Sequence, residues 1–268
     1  MRIPWYVALP VLALAVYGGL LLLARSVTYH PWKYPRGNWE AQAWLGAVDV
    51  RPRTDDGLTL HAWWVPSTAG RLATLFLHGN GGNLTHRLGH IEAIREAGSS
   101  VLMLDYRGYG RSEGWPTEAG LYRDADAAYR HLQELGYPPD RIVLHGESLG
   151  TAVAVELASR RPCAGMILEA PFPSAVDVAW RVLPLLGPLV ARGFDSKRRI
   201  AAFQRPLLVI HGTRDEVIPL EFGRRVYEAA PGPKWFWAVE GAGHNDLLEA
   251  AGASYRARLQ EFYRRLQS

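Results

Sequence analysis

The pentapeptide at 146–150, Gly-Glu-Ser-Leu-Gly, constrains the fold of this chain more than any other stretch. It follows the apolar run 142–145 and precedes the helix-forming run 151–158. A strand, a very tight turn and a helix in succession lift a serine hydroxyl clear of a sheet, and the glycines suit a turn too crowded for a Cβ atom. Ser148 is therefore a candidate nucleophile. The pattern alone also fits a glycine-rich turn that holds an incidental serine.

Strand-like and helix-like patterns alternate along most of the chain. Segments 48–51 and 58–65 alternate in polarity around an Asp-Asp-Gly turn, which predicts an antiparallel hairpin. The run 72–78 is almost continuously apolar, as a strand buried on both faces should be. Further strands are predicted at 100–104, 141–144, 165–168, 206–210 and 235–239, and helices at 85–96, 117–135, 148–160, 220–229 and 246–266. This order predicts an α/β domain with a mostly parallel sheet and helices on both faces.

An uncharged apolar segment occupies positions 3–24. As a helix it would span about 33 Å, which is enough for the hydrocarbon core of a bilayer. A cleaved signal peptide is the alternative, but the apolar core is long and the Leu-Ala-Arg at 23–25 is a poor cleavage site. We therefore expect a retained, N-terminal transmembrane helix.

This segment sets the predicted division of the chain. We expect a membrane anchor at 1–28 and one globular domain at 29–268. Arg2 precedes the apolar segment, whereas Arg25 and two further cations follow it. The side of the membrane that holds the domain stays open, with a slight lean towards the cytoplasm.

The alternation of strands and helices stops between about 171 and 203. This stretch is apolar but contains several prolines, so it cannot form one long regular helix. It predicts a small cap of short helical pieces inserted into the domain. The cap residues that we expect beside an apolar substrate chain are Trp180, Leu183, Leu185 and Leu186. A cap that only covers the core is the alternative.

Composition excludes several classes of protein. Hydrophobic residues make up 48% and charged residues 21% of the chain, which is typical of a globular protein. The formal net charge is +4 without a dense Lys/Arg block, so we expect no nucleic-acid partner. The single cysteine, Cys163, rules out an internal disulfide framework and a cysteine-based zinc site.

A serine nucleophile needs a base, and the base needs a carboxylate to orient it. His244 lies in a Gly-Ala-Gly-His-Asn-Asp loop between a predicted strand and the last helix, and Asp215 follows another predicted strand. The chain order Ser148, Asp215, His244 is the order expected when the serine turn lies on a doubly wound sheet. The three side chains should converge, because sites form at the carboxyl ends of such strands. Glu216 is the rival acid.

Backbone N–H groups should bind the oxyanion of the tetrahedral intermediate. The sequence His-Gly-Asn-Gly-Gly-Asn at 78–83 follows a strand and precedes a helix. We expect the N–H groups of Asn80 and Leu149 to form the oxyanion hole. A phosphate-binding loop is the competing interpretation, but neither the Gly-Lys-Ser/Thr sequence nor the glycine spacing of a dinucleotide site is present.

Together these motifs resemble the α/β-hydrolase superfamily over about 48–266, and within it the Bem46-like, membrane-anchored serine hydrolases. The resemblance is carried by 78–83, by 105–112 (Asp-Tyr-Arg-Gly-Tyr-Gly-Arg-Ser), by 146–150, by 211–215 (His-Gly-Thr-Arg-Asp) and by 243–244 (Gly-His). It extends to the alpha/beta hydrolase domain-containing proteins 13 and 17, some of which are known to remove palmitoyl groups from proteins. Glu147 departs from the resemblance, since arginine is expected at that position.

The resemblance and the motifs predict an α/β-hydrolase fold and a membrane-anchored serine hydrolase that cleaves carboxylic esters or thioesters through an acyl-enzyme on Ser148. We expect no cofactor and no metal. The expected substrate is a small-molecule or lipid-like acyl compound, with an acylated protein as a further option. A serine peptidase or amidase on the same fold is the alternative function, followed by a non-catalytic, membrane-tethered binding protein.

Overall fold

Most of the strands form one eight-stranded sheet. The computed structural model describes residues 4, 6–7, 9–13, 18–19, 28–68, 71–182 and 191–267. The strands are β1 (His30–Pro31), β2 (Val48–Val50), β3 (His61–Val65), β4 (Leu72–Leu77), β5 (Gly81–Gly82), β6 (Ser99–Asp105), β7 (Ile142–Glu147), β8 (Gly165–Glu169), β9 (Leu207–Gly212) and β10 (Lys234–Val239). The order across the sheet is β10-β9-β8-β7-β4-β6-β3-β2. Pairs from β10 to β6 are parallel, and β6–β3 and β3–β2 are antiparallel, so the predicted mostly parallel sheet and its initial hairpin are confirmed.

Helices cover both faces of this sheet. They are α1 (Ala41–Leu45), α2 (Leu88–Glu96), α3 (Glu118–Glu134), α4 (Leu149–Ala158), α5 (Ala175–Val182), α6 (Ser196–Ile200), α7 (Leu220–Ala229), α8 (Leu247–Ala251) and α9 (Ala253–Gln267), with short 3₁₀ turns at Leu84–His86 and Pro139–Arg141. Along the fully buried β4, Leu75 and Leu77 pack with α3 and α4 on one face. Phe76 between them packs with α2 and α9 on the other. Successive side chains of a strand point to opposite faces, so each face has its own apolar core.

The last helix and a second, small sheet differ from the sequence prediction. The predicted helix 246–266 is two helices, because Gly252 between α8 and α9 has φ 52°, in the left-handed region that favours glycine. A second, two-stranded parallel sheet joins β1 to β5, with His30 opposite Gly81. Strands of two residues are too short to show periodicity in a sequence. This small sheet fastens the segment before α1 to the loop that follows β4.

The described helices contradict the predicted single-pass membrane localisation, with its N-terminal transmembrane helix at 1–28. A membrane crossing needs a helix of about 20 predominantly apolar residues. No helix within the described ranges is long and apolar enough for that. Positions 1–3, 5, 8, 14–17 and 20–27 of the predicted anchor lie outside the described residues.

The segment predicted as a cap holds two short helices in its described part, α5 and α6. An ion pair of 2.8 Å between Asp177 and Arg225 ties α5 to α7. Trp180 on α5 is 55% exposed. Leu183, Leu185 and Leu186 lie at 183–190, outside the described residues. The boundaries of a cap at about 171–203, and of a domain starting at 29, stay predictions.

Candidate active site

The serine turn has the sharp geometry expected of it. Ser148 has φ 49° and ψ −113°, lies directly between β7 and α4, and donates its N–H to the backbone oxygen of Glu169 at 2.8 Å. A Cβ at Gly146 would lie 2.5 Å from the oxygen of Gly150. One at Gly150 would lie 1.8 Å from the oxygen of Leu77. Both glycines are therefore required, and backbone strain at Ser148 is held in place by its neighbours.

The structure brings the three predicted side chains into one hydrogen-bonded line. Ser148 Oγ lies 3.0 Å from His244 Nε2, and His244 Nδ1 lies 2.7 Å from Asp215 Oδ2. An ionised carboxylate can only accept, so Nδ1 carries the proton and Nε2 is left to accept from the serine hydroxyl. This is the tautomer that a general base needs.

Asp215 is fixed from its other side. Its Oδ1 accepts the N–H groups of Val217 at 2.9 Å and Ile218 at 2.7 Å, and its side chain is fully buried. The His244 side chain is 12% exposed, so the imidazole reaches the surface of the site while its partner does not. Glu216, the rival acid, is exposed, and no contact joins it to His244. The geometry thus favours Asp215 as the partner of the histidine.

The predicted oxyanion donors lie at the ends of neighbouring strands, and their N–H groups are available. The Asn80 carbonyl accepts the Tyr109 hydroxyl at 2.9 Å, and its side-chain Oδ1 accepts the His30 N–H at 3.1 Å. The acceptors of Asn80 therefore fasten the loop. Leu149 is the first residue of α4. Neither N–H donates a hydrogen bond within the part of the chain that the structure describes.

Glu147, directly before Ser148, forms an ion pair that the sequence did not reveal. Its Oε2 accepts from Arg87 Nε at 2.5 Å and from the Gly79 N–H at 3.3 Å. Burial raises the pKa of Glu147, but the charges of Arg87 and His90 outweigh this and bring the pKa below its ordinary value. The negative charge predicted beside Ser148 is therefore paired.

A second set of polar side chains surrounds Glu169, which ends β8 next to β7. Glu169 lies 2.5 Å from His145 Nε2 and 3.2 Å from His90 Nε2, and it accepts the hydroxyl of Tyr255. Burial raises the pKa of Glu169, but His90 and His145 hold it well below its ordinary value. Burial lowers the pKa of His90, but Glu169 outweighs this and raises it. The two residues form a buried ion pair.

A small cavity of about 30 Å³ opens beside Ser148. Its walls combine the serine and histidine with the paired carboxylates and an apolar side, and comprise His90, Glu147, Ser148, Glu169, Ala170, His244, Asn245, Leu247 and Leu248. It has space for a few atoms of a substrate next to the Ser148 hydroxyl. A larger cavity of about 180 Å³ lies elsewhere, beside Cys163, and contains none of these residues.

Cys163 and a metal site are the other features considered for chemistry. Burial raises the pKa of the Cys163 thiol to about 12, so little thiolate forms at neutral pH. Among the residues that the structure describes, no group of three or more His, Cys, Asp or Glu side chains could hold a metal ion. Among the described residues, Ser148 has an arrangement suited to nucleophilic chemistry.

Comparisons with known proteins agree with this geometry. Residues 70–195 match the Hydrolase_4 family model, which is described as serine aminopeptidase, S33. The chain is 39% identical to the uncharacterized protein Rv2307c of Mycobacterium tuberculosis, over 89% of each chain. It is 38% identical to the human alpha/beta hydrolase domain-containing protein 17C, over 85% of this chain and 69% of that protein. The Pyrococcus furiosus esterase Pf2001 has a similar fold, with a TM-score of 0.74 at 22% identity over 89% of this chain and 98% of its own.

Proposed function

Since the chain belongs to the α/β-hydrolase superfamily, as a serine hydrolase of the esterase class, we propose that it cleaves carboxylic esters or thioesters through an acyl-enzyme on Ser148. The observation that carries the proposal is the line of hydrogen bonds from Ser148 Oγ through His244 to Asp215, at 3.0 and 2.7 Å. In this proposal Ser148 is the nucleophile, His244 the base and Asp215 the residue that orients it.

The reaction would proceed in two half-reactions. Ser148 Oγ attacks the acyl carbonyl carbon while His244 Nε2 takes the hydroxyl proton, and Asp215 stabilises the resulting imidazolium. The N–H groups of Asn80 and Leu149 bind the oxyanion, and each such donor contributes about a hundred- to a thousandfold in rate. The intermediate collapses with loss of the alcohol or thiol, which takes the proton from His244. Water, activated by His244, then releases the acid and restores Ser148.

Amide hydrolysis is the second candidate. It is favoured by the aminopeptidase description of the family model that matches residues 70–195. An amine leaving group depends on protonation by His244 more strongly than an alcohol or thiol does. A matched panel of one acyl group presented as ester, thioester and amide therefore separates the two functions, and we expect the ester and thioester to react faster.

Apolar contacts beside the nucleophile support an acyl substrate. Leu247 and Leu248 form one side of the cavity next to Ser148, where the acyl part of an ester would begin. Arg87, the arginine next to this site, is paired with Glu147 and does not demand an anionic substrate. A series of esters and thioesters with increasing acyl length, including an acylated peptide, tests which acyl group is preferred.

The experiment that tests the proposal is labelling by a fluorophosphonate together with turnover of that series. Wild-type protein should be labelled and should hydrolyse at least one ester or thioester, and Ser148→Ala should lose both activities. Ser159→Ala is the matched control, because Ser159 is an exposed serine whose hydroxyl donates to Glu156 at the end of α4. Persistence of the label in Ser148→Ala, or no turnover by folded wild-type protein, would contradict the proposal.

A further inference from the structure

We propose that Glu147, through its ion pair with Arg87, is a positioning residue that ties the oxyanion loop to the nucleophile. The oxyanion loop is defined here as residues 78–83, which contain Asn80. This inference rests on the proposed function of Ser148, because it concerns the geometry of the same site.

The ion pair contacts the oxyanion loop on both sides of Asn80. Glu147 Oε2 accepts the Gly79 N–H at 3.3 Å, one residue before Asn80. Arg87 Nη2 donates to the Gly81 carbonyl at 3.3 Å, one residue after it. The bond of 2.5 Å between Arg87 Nε and Glu147 joins these two contacts. Since Glu147 is the residue directly before Ser148, the backbone around Asn80 is held at a fixed place relative to the nucleophile.

The packing around residue 79 is tight. A Cβ at Gly79 would lie 3.0 Å from Glu147 Oε1 and 3.3 Å from Arg87 Nη2, both tighter than usual. The carboxylate therefore lies against the loop backbone itself. On the outer side of the loop, Tyr109 and the His30 N–H hold the oxygens of Asn80. These two sets of contacts hold the loop from both sides, and the Asn80 N–H can bind a ligand.

The charges of the pair are mostly withdrawn from water. The side chains of Arg87 and Glu147 are 14% and 20% exposed. Screening by salt is weak in such surroundings, and removal of one partner leaves the other charge buried and unpaired. Arg87 would then leave Gly81, and the loop would lose its contacts on both sides of Asn80. A shift of the Asn80 N–H would weaken binding of the oxyanion, which exists only during the reaction, more than binding of the substrate.

The test compares kcat and KM on an ester that the wild-type protein hydrolyses, with active sites counted by fluorophosphonate titration. We expect Glu147→Gln to lower kcat about tenfold and Glu147→Ala about a hundredfold, with KM within about twofold. Arg87→Ala should lower kcat as much as Glu147→Ala does. The double variant Glu147→Ala/Arg87→Ala should have a kcat no lower than the poorer single variant, because all three variants lose the same ion pair.

Glu156→Gln is the matched control. Glu156 on α4 forms an ion pair of 2.8 Å with Arg160, away from the oxyanion loop, so its loss should leave kcat unchanged. Thermal unfolding of each variant accompanies the kinetics, and Glu147→Gln retains an acceptor for Gly79 if Glu147→Ala folds poorly. The inference is overturned if kcat per active site in both Glu147 variants stays within twofold of the wild-type value. It is also overturned if the variants change KM alone. A wild-type protein that neither labels nor turns over an ester would instead contradict the proposed function, and with it this inference.

Discussion

Two carboxylate–histidine clusters lie side by side near the carboxyl ends of the parallel strands. They differ in the contact made by the ring nitrogen of the histidine that faces away from the carboxylate. In the first cluster, Asp215 is 2.7 Å from His244 Nδ1, and His244 Nε2 faces Ser148 Oγ. In the second, Glu169 is 2.5 Å from His145 Nε2, and His145 Nδ1 is buried without a hydrogen-bond partner in the part of the chain described. A close carboxylate–histidine contact is therefore not enough to indicate catalysis. A nucleophile at the far side of the ring is also needed.

The carboxylates of the two clusters also differ in their surroundings. Asp215 Oδ2 lies 2.7 Å from His244 Nδ1 and 3.5 Å from His211 Nε2, and two backbone N–H groups hold its second oxygen. Glu169 is surrounded by His90, His145 and Tyr255, which satisfy it from several elements. The backbone oxygen of Glu169 also accepts the N–H of Ser148. The first cluster is thus suited to move a proton, whereas the second supports the strand end that holds the backbone of Ser148.

The largest expected effect separates the two histidines. His244→Gln should lower kcat about 10⁴- to 10⁶-fold, because glutamine cannot act as the base, while the free energy of unfolding changes by only about 1 kcal/mol. His90→Gln should lower stability and keep most of the activity per active site. Ester turnover and urea unfolding of both variants check this.

His131→Gln is the control for that pair of variants. His131 lies on α3, where its side chain is 20% exposed and contacts Glu134 at 3.3 Å, and it belongs to neither cluster, so kcat should not change. A fall in kcat of less than tenfold in His244→Gln would mean that His244, and with it the first cluster, does not supply the base.

The next effect separates the two carboxylates. Glu169→Gln leaves His90 without its counter-charge and should lower the free energy of unfolding by about 3–5 kcal/mol. Its kcat per active site should stay within about tenfold. Asp215→Asn should do the opposite, with kcat about 10⁴-fold lower and a smaller loss of stability, because the asparagine still accepts from Val217 and Ile218.

Denaturant unfolding and active-site titration measure both quantities for these two variants. Tyr255→Phe sharpens the result, since it removes one hydroxyl from Glu169 without touching the charge and should cost about 1 kcal/mol. If Glu169→Gln lost its activity while its free energy of unfolding stayed unchanged, the second cluster would take part in the chemistry.

The first cluster could be predicted from the sequence because each of its members follows its own strand. Ser148, Asp215 and His244 each come within a few residues after an apolar run, and the ends of parallel strands meet at one edge. Local pattern and chain topology were therefore sufficient to bring them together. The α/β fold was predictable for the same reason, since alternation of strands and helices is visible in short windows of sequence.

The second cluster could not be predicted because two of its members, His90 and Tyr255, lie within helices and no strand end or turn motif marks them. The same holds for Arg87, which meets Glu147 from the start of α2. Periodicity indicates that one face of α2 is buried, but it does not say which side chain of another element will meet that face. The same limit explains Gly252, where a single backbone conformation divides the last predicted helix into two. A hydropathy pattern alone likewise led to the membrane prediction that the described helices do not support.

The smallest expected effect is the pH dependence of the second cluster. The pKa of Glu169 is lowered on folding from its ordinary value of 4.5, so its contribution to stability is complete above about pH 4.5 and is lost as the pH falls. The pKa of His90 is raised from 6.5, so its contribution is complete below about pH 6.5 and is lost as the pH rises through the raised value. Both contributions are complete together only between these limits.

The difference in free energy of unfolding between wild type and Glu169→Gln should therefore be largest between about pH 4.5 and 6.5, and should fall on both sides of that window by at most about 1.4 kcal/mol per pH unit for each group. Denaturant unfolding from pH 3.5 to 8.5 measures it. Glu261→Gln is the control, because Glu261 contacts Arg265 on the exposed face of α9, where solvent screens the pair. A difference that stays constant across this range would mean that Glu169 and His90 are not an ion pair. The two clusters would then differ only in their access to Ser148, and not in charge.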